Sequence, residues 1–332
     1  TKEANVSETN LDVVALGNAI VDVIVKTNDD FLTANNLKKG AMTLIDENQA
    51  ATLHGKIRAD KVSSGGSAAN TIAGLASMGG RGGFIGKVSN DELGKIFQQD
   101  ICSLGVQFET TAATSGTGTA CCFVFVTDDA ERTMNTYLGA CVELAPEDID
   151  SNSIESAAVT YLEGYLWDPP KAKDAFRKAM KIAHAAGRPV AFTLSDAFCV
   201  ERYRTEFLEL VRSDIDILFA NEQEIQSLYK VETIDDAVQQ VQNCCSIAVL
   251  TLGARGSMVV TPKEIYTVSA SAVGQVVDTT GAGDLYAAGF LFGYTQGRDL
   301  ETCGIYGAKA AAEIISHYGA RPAVPLRDIL LF

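Results

Sequence analysis

The sequence predicts an α/β fold with three layers, in which helices cover both faces of a mostly parallel sheet and a small β-sheet serves as a lid. Three observations carry this reading. Apolar strand-like runs alternate with amphipathic helical stretches through the middle of the chain, the pattern of parallel strands joined by crossovers. The first third holds strand-like runs without a helix between each pair. Glycine-rich turns ahead of helices recur near strand ends, where sheets of this class bind ligands.

In chain order, 12–25, 42–45, 119–126 and 133–138 read as strands, and the alternation in 119–126 points to antiparallel pairing with one sheltered face. These define a discontinuous lid from about 12–50 and about 105–140, inside a single domain spanning 1–332. A helix runs to about Met78 from the turn Gly65-Gly66-Ser67. The run 159–162 reads as a strand, and 171–186 as a helix with Ala175, Ala179, Ile182 and Ala183 at helical spacing. A strand at 189–194, a polar helix near 200–212 and a buried strand at 215–219 follow. Helices near 222–229 and 234–244 lead to a strand at 247–252. A further helix opens at Asp284 and carries Ala287, Ala288 and Gly289, small residues that let it pack close to a sheet.

Composition narrows the function. Apolar residues make up 47% and charged residues 21% of 332, an ordinary globular balance. The net charge of −15 argues against nucleic acid and anionic membranes as partners, since both reward clustered Lys and Arg. A nucleotide held with Mg²⁺ stays compatible. No apolar run reaches the roughly 18 residues of a membrane span. The opening TKEANVSETN is polar and acidic, unlike a secretory signal. Eight cysteines form no C-x-x-C pair and read as mostly buried thiols, so a cytoplasmic location is expected. Three histidines without ligand spacing make a zinc site improbable. An open lid edge is compatible with pairing of two copies, leaving monomer and homodimer both open.

No P-loop, G-x-G-x-x-G, G-x-S-x-G or H-E-x-x-H motif occurs. Five other stretches and one lone arginine carry chemistry. In Asp278-Thr279-Thr280-Gly281-Ala282-Gly283-Asp284, the plain reading is a turn with Asp284 capping its own helix. The functional reading makes the amides of Gly281, Ala282 and Gly283 an anion hole, with Asp284 as base for an attacking hydroxyl. In Gly65-Gly66-Ser67-Ala68-Ala69-Asn70, a turn and cap competes with a ligand approach at Gly66 and hydroxyl recognition by Asn70. Asn18 and Asp22, four apart, fall on one face of a strand and would need polar partners if buried. Asn221 and Glu224 form a capping-box pattern, and Glu224 could also organise Mg²⁺ through water. Thr251, Gly253 and Gly256 again put glycines after a strand, and Arg132 is either a phosphate clamp or one charge in a solvated hairpin tip.

Taken in order, these stretches resemble the PfkB family of carbohydrate and nucleoside kinases, with the ribokinase-like fold. The resemblance rests on Gly65 through Asn70 with the following Gly79, Gly80, Gly86, Asp91 and Gly94, on Asn221 and Glu224, on Thr251 through Gly256, and on Asp278 through Asp284. It spans almost the whole chain. It implies ATP-dependent phosphorylation of a primary hydroxyl with Mg²⁺ as cofactor, and leaves open a monovalent cation such as potassium near Asp278. Asp284 then resembles the catalytic base and Gly281, Ala282 and Gly283 the anion hole. Asn18, Asp22, Gly65, Gly66, Ser67 and Asn70 resemble the substrate site, and Arg132 the lid arginine that reaches the phosphates. Asn221, Thr251, Gly253, Gly256 and Thr279 resemble the ATP site, with Glu224 at the metal. Lys309 departs from the pattern, because many relatives have Asn there near the adenine. The stretches 17–22, 39–46 and 315–322 are most similar to bacterial adenosine-kinase-like members. Adenosine is therefore the expected substrate, with Tyr165 and Trp167 placed to wall its ring or to sit in the core. Ribokinase-, fructokinase- and keto-deoxy-gluconate-kinase-like activities stay open. From another class, so does a catalytically silent nucleotide- or sugar-binding regulator.

Overall fold

The computed structural model describes residues 9–129 and 131–330. Strand β1 (Leu11–Leu16) is buried throughout, and Gly17, Asn18 and Ala19 carry the chain out of it into β2 (Ile20–Lys26). Then come α1 (Asp29–Ala34), β3 (Met42–Leu44), α2 (Glu47–His54), β4 (Lys61–Gly65), α3 (Ser67–Ser77), β5 (Gly82–Ile85) and α4 (Glu92–Ser103). The hairpin β6 (Ala120–Val126) and β7 (Arg132–Tyr137) precedes α5 (Ser151–Ser156), β8 (Ala157–Glu163), α6 (Pro170–Ala185), β9 (Val190–Thr193) and α7 (Ala197–Ser213). The second half continues with β10 (Ile217–Asn221), α8 (Glu222–Tyr229), α9 (Ile234–Val241), β11 (Ile247–Thr251), β12 (Ser257–Val260) and β13 (Ile265–Val268). It ends with α10 (Ala282–Thr295), α11 (Leu300–Ile314) and α12 (Leu326–Leu330).

Two sheets result. The larger has the order β13-β12-β11-β10-β9-β8-β1-β5; its strands from β11 to β5 are parallel, and β12 and β13 add an antiparallel edge. Side chains alternate across it: Val13 and Ala15 face the core shared with α3 and α10, while Val14 and Leu16 face the core under α6 and α7. Both faces are covered, which is why these strands read as nearly continuous apolar runs. The smaller sheet has the order β3-β7-β6-β2-β4. Val21, Val23 and Val25 of β2 and Phe123 and Phe125 of β6 pack on α1 and α4, leaving the alternate positions, Asp22 among them, on the other face.

Several expectations need correction. The run 12–25 is two strands in two sheets, so the small sheet begins at Ile20 rather than near residue 12. Asn18 therefore lies between strands, and its spacing from Asp22 does not put them on one strand face. The small sheet also takes in β4, and the segment at 107–113 bridges instead to β5 and the loop after it, through Gly83 with Gln107 and Ser89 with Ala113. β4 (KVSSG) and β5 (GGFI) are short and glycine- or serine-rich, so local propensity says little about them; pairing partners make them strands. The small residues of α10 do allow close packing, but against helices as well as sheet. A Cβ on Gly289 would stand 2.4 Å from the carbonyl oxygen of Tyr306 in α11.

The candidate side chains Asn18, Asn221 and Thr251 follow or close β1, β10 and β11, so they gather at the carboxyl edge of the parallel sheet, where Glu163 closes β8. That edge is where open α/β sheets hold ligands.

Candidate active site

Asp278 organises the loop that opens α10. Its Oδ1 accepts from the Thr280 amide at 2.9 Å, its Oδ2 accepts from the Gly319 amide at 3.0 Å, and Arg132 Nη1 donates to the same oxygen. Gly281 then takes a left-handed conformation (φ 80°) at the helix N-cap, and no side chain caps α10. The Ala282 amide donates to the Thr279 carbonyl at 3.2 Å, while the uncapped N-terminus leaves the Gly281 and Gly283 amides without a backbone partner among the described residues and carries the positive end of the helix dipole. Gly283 is exposed, with nothing within 4 Å of where a Cβ would stand, so this end of the helix opens onto free space.

Asp284 does not cap its own helix, in contrast to the plain reading of the motif. It sits three residues past the N-cap and turns across to α3, accepting from Ser67 Oγ at 2.6 Å and Asn70 Nδ2 at 3.0 Å. Burial raises its pKa above the ordinary Asp value, and those two hydrogen bonds and the charge of Arg321 oppose the rise.

The Gly65-Gly66 turn brings the other side of the site in. β2 pairs with β4 so that Ile20 lies opposite Gly65, and a Cβ on Gly65 would meet Asp22 Oδ2 at 2.4 Å. Gly66 has φ +99°, and its Cβ would fall 2.2 Å from the Asn18 carbonyl oxygen, so only glycine fits both the angle and the space. Burial pushes the Asp22 carboxyl up to about 6, against the attraction of Arg321 and Arg132. Asn18 is buried and donates through Nδ2 to Glu163 Oε1 at 2.9 Å, while its Oδ1 and the Oδ1 of Asn70 have no partner. Orphan buried acceptors are uncommon, and ligand hydroxyls would satisfy both.

Glu163 is a site residue that the sequence does not single out. It ends β8, is buried, and its Oε2 accepts from the Ala68 amide at 2.9 Å. Burial raises it to about 7, with the Asp284 charge adding to the rise and the bonds from Ala68 and Asn18 opposing it. The available signal was a carboxylate closing an apolar strand at the ligand edge. Nearby, Tyr165 is 40% exposed, and the carboxylates of Asp196, Asp284 and Glu163 face its phenol, whose pKa burial and these charges push up. Trp167 does not join it: its indole is buried against Phe176 and Phe207 and donates to Glu206 Oε2 at 2.9 Å.

On the far side, Asn221 and Glu224 make a complete capping box. Glu224 N donates to Asn221 Oδ1 at 2.8 Å, and the Asn221 amide donates back to Glu224 Oε2 at 2.9 Å. The carboxyl of Glu224 is nonetheless raised to about 7 by burial, with Asp196 and Asp284 facing it. Among the described residues no group of three or more His, Cys, Asp or Glu could hold a metal directly. Glu224 is a single buried carboxylate, which could reach Mg²⁺ only through water and phosphate oxygens and not as part of a protein cage. Thr251 closes β11 half-buried, Thr279 is exposed, and Gly253 is left-handed (φ +60°) with open space around it. Gly256 differs: its Cβ would stand 2.0 Å from the Val268 carbonyl oxygen, so it serves the crossing of β12 and β13. Arg132 lies on β7, mostly buried, and not in a solvated tip. Lys309 donates to the Ile329 carbonyl at 3.3 Å. The eight cysteines are all free, with Cys121, Cys122, Cys141 and Cys303 buried. No helix among the described residues is long and apolar enough to cross a membrane.

Known proteins are similar to this chain in sequence and fold. An adenosine kinase from Sinorhizobium meliloti is 53% identical, with a TM-score of 0.88 over 96% of this chain and 98% of its own. A probable sugar kinase from Rhizobium etli CFN 42 is 49% identical, with a TM-score of 0.88 over 97% of this chain and 98% of its own. An ATP-dependent ribose-1-phosphate kinase from Halopiger xanaduensis is 29% identical over 88% of this chain and 94% of its own. The model of the pfkB family of carbohydrate kinases matches residues 12–327. The chain has the ribokinase-like fold and belongs to that family, as a phosphotransferase with an alcohol acceptor.

Proposed function

We propose that the protein transfers the γ-phosphoryl group of ATP to the primary hydroxyl of a nucleoside, adenosine above all, giving AMP. The observation that carries this reading is the placement of the Asp284 carboxylate beside an uncapped helix N-terminus, held by Ser67 and Asn70. Asp284 accepts the proton of the attacking hydroxyl, and the amides of Gly281, Ala282 and Gly283 receive the charge that develops on the phosphoryl oxygens. Little covalent work is then asked of the protein beyond positioning and electrostatics. Asn18, Asp22, Gly65, Gly66, Ser67 and Asn70 orient the sugar. The orphan acceptors on Asn18 and Asn70 support that assignment. Tyr165 offers a half-exposed aromatic face for the base. Arg132, Asn221, Thr251, Gly253 and Thr279 serve the nucleotide, and Glu224 holds the water shell of Mg²⁺. A potassium ion near Asp278 requires Arg132 to leave that carboxylate, because the pair now matches its charge.

The 53% identity to an adenosine kinase favours adenosine, and the 49% identity to a probable sugar kinase supports a sugar acceptor as the second reading. ADP release measured across adenosine, other nucleosides, ribose and fructose, with a thermal-shift screen of the same compounds, separates them. Adenosine turnover is expected. Turnover of a sugar without adenosine would replace the first reading by the second. Binding with no turnover of any compound would leave a silent binder.

A further inference from the structure

The mechanism above leaves unused a part-buried arginine from the loop after α11. Arg321 Nη1 donates to the Ala69 carbonyl oxygen at 2.9 Å, and Nη2 donates to the Ser64 carbonyl oxygen at 2.7 Å and to Ser64 Oγ at 2.9 Å. Ser64 lies just before the Gly65-Gly66 turn, on β4, and Ala69 lies just after it, on α3. One guanidinium therefore grips both flanks of the turn. Ser64 is anchored further, since its amide and hydroxyl donate to Asp100 Oδ2 of α4 at 2.8 and 2.6 Å.

We propose that Arg321 is a positioning residue for phosphoryl transfer, clamping the two flanks of the Gly65-Gly66 turn together and setting one fixed positive charge against Asp22 and Asp284. This rests on the reading of Asp284 as base and of the turn as acceptor site. Paired glycines have the largest backbone freedom to lose, so a turn built on them needs an external tie to hold one geometry. Ser67 and Asn70, which steer Asp284, both follow directly from that turn. A planar guanidinium reaches acceptors on two elements at once, whereas a lysine ammonium is a point charge on a flexible stem.

The charge has a second effect. Asp22 from β2, Tyr161 and Glu163 from β8, Tyr165 beyond it, and Glu224 from α8 all face Asp284 as acidic groups; the cation facing it is Arg321. Asp22, Asp100 and Asp284 face Arg321 in turn, and Arg132 is the other cation facing Asp22. A base must be ionised to accept the proton. Removing the positive charge raises the Asp284 pKa, so the acid limb of kcat/KM moves to higher pH.

The test uses the full chain with ATP, Mg²⁺ and whichever acceptor of the panel is turned over, comparing Arg321→Met and Arg321→Lys. Arg321→Met is expected to raise the acceptor KM and lower kcat/KM by about 10- to 100-fold, with the acid limb shifted up. Arg321→Lys is expected to return the acid limb while keeping the raised acceptor KM. A loss of activity in Arg321→Met with the acid limb and acceptor KM both unchanged means support of the fold alone, and overturns the proposal. If Arg321→Met does not fold, Arg321→Lys decides: an acceptor KM equal to the parent's overturns the clamp, and a raised one supports it. Asp284→Asn in parallel keeps the two readings apart, since turnover retained there removes the base assignment whatever the Arg321 variants do.

Discussion

Arg132 on β7 ion-pairs with Asp278 ahead of α10, so one pair of charges joins the small sheet to the loop that opens the helix. The side chains are 14% and 8% exposed, and Arg132 Nε is buried without a partner. Burial pushes the Asp278 carboxyl up, but the Gly319 and Thr280 donors together with Arg132 outweigh it and hold it below the ordinary Asp value. On the proposed reading of Arg132 as a nucleotide ligand, an incoming triphosphate offers it a second bidentate anion in place of the Asp278 carboxylate.

Arg132→Gln is accordingly expected to raise the KM for ATP and to cut kcat by about 10- to 100-fold, while acceptor binding persists. Steady-state kinetics in ATP, beside a thermal shift with adenosine, measures both. An unchanged ATP KM and kcat would remove Arg132 from the nucleotide site.

Replacing Asp284 by Asn keeps the size and one hydrogen-bond acceptor while removing the base. Turnover is expected to fall by about 10² to 10⁴, the range for loss of a general base. The acceptor-induced thermal shift should survive, because Asn18, Asp22 and the glycine turn remain. Near-parental kcat would show that the proton leaves by another route.

How much of this was legible beforehand depended on whether the information was local. The strands from β8 to β11 and helices α6 to α9 stood out because apolar period and length agree there. So did the loop from Asp278 to Asp284, whose glycines and carboxylate are contiguous. Glu163 and Arg321 did not stand out, because their partners lie far along the chain: Glu163 meets Asn18 and Ala68, and Arg321 meets Ser64 and Ala69. The break at Gly17 was hidden for a related reason. β1 and β2 are both apolar, and only their pairing with β8 and with β6 assigns them to different sheets.

Buried carboxyls give the apo protein a pH signature. Burial raises Glu163 and Glu224 to about 7 and Asp22 to about 6, all above their unfolded values. Between the unfolded and folded pKa the native state binds more protons, so stability falls as pH rises through that window. Groups held low, such as Asp278, act below it, losing their contribution as pH falls through their folded values. The melting temperature is thus expected to be higher at about pH 5 than at about pH 8. Glu163→Gln should flatten that slope without unfolding the chain. Gln can accept the Ala68 N–H, and the Asn18 amide, whose Oδ1 lacks a partner, can turn to accept from the Gln NH₂. A parental slope in Glu163→Gln, read by calorimetry across the range, would reject the assignment.

Two glycine-to-alanine changes separate architecture from chemistry. At Gly66 the added Cβ meets the Asn18 carbonyl oxygen at 2.2 Å, with the backbone at φ +99°. The strain is of the order of 1–3 kcal/mol for the dihedral alone, and the clash falls on backbone that cannot swing aside. Gly66→Ala is expected to lower the melting temperature and to abolish acceptor binding together. At Gly283 the Cβ meets nothing within 4 Å, and the position lies in the first turn of α10. Alanine is the better helix former by about 1 kcal/mol, so Gly283→Ala should hold or raise the melting temperature. If the α10 amides receive the transferring phosphoryl group, that methyl stands in its path, and kcat must fall in a protein that is no less stable. Thermal melts paired with single-turnover rates give both quantities, and full activity in Gly283→Ala would move the phosphate away from this helix end.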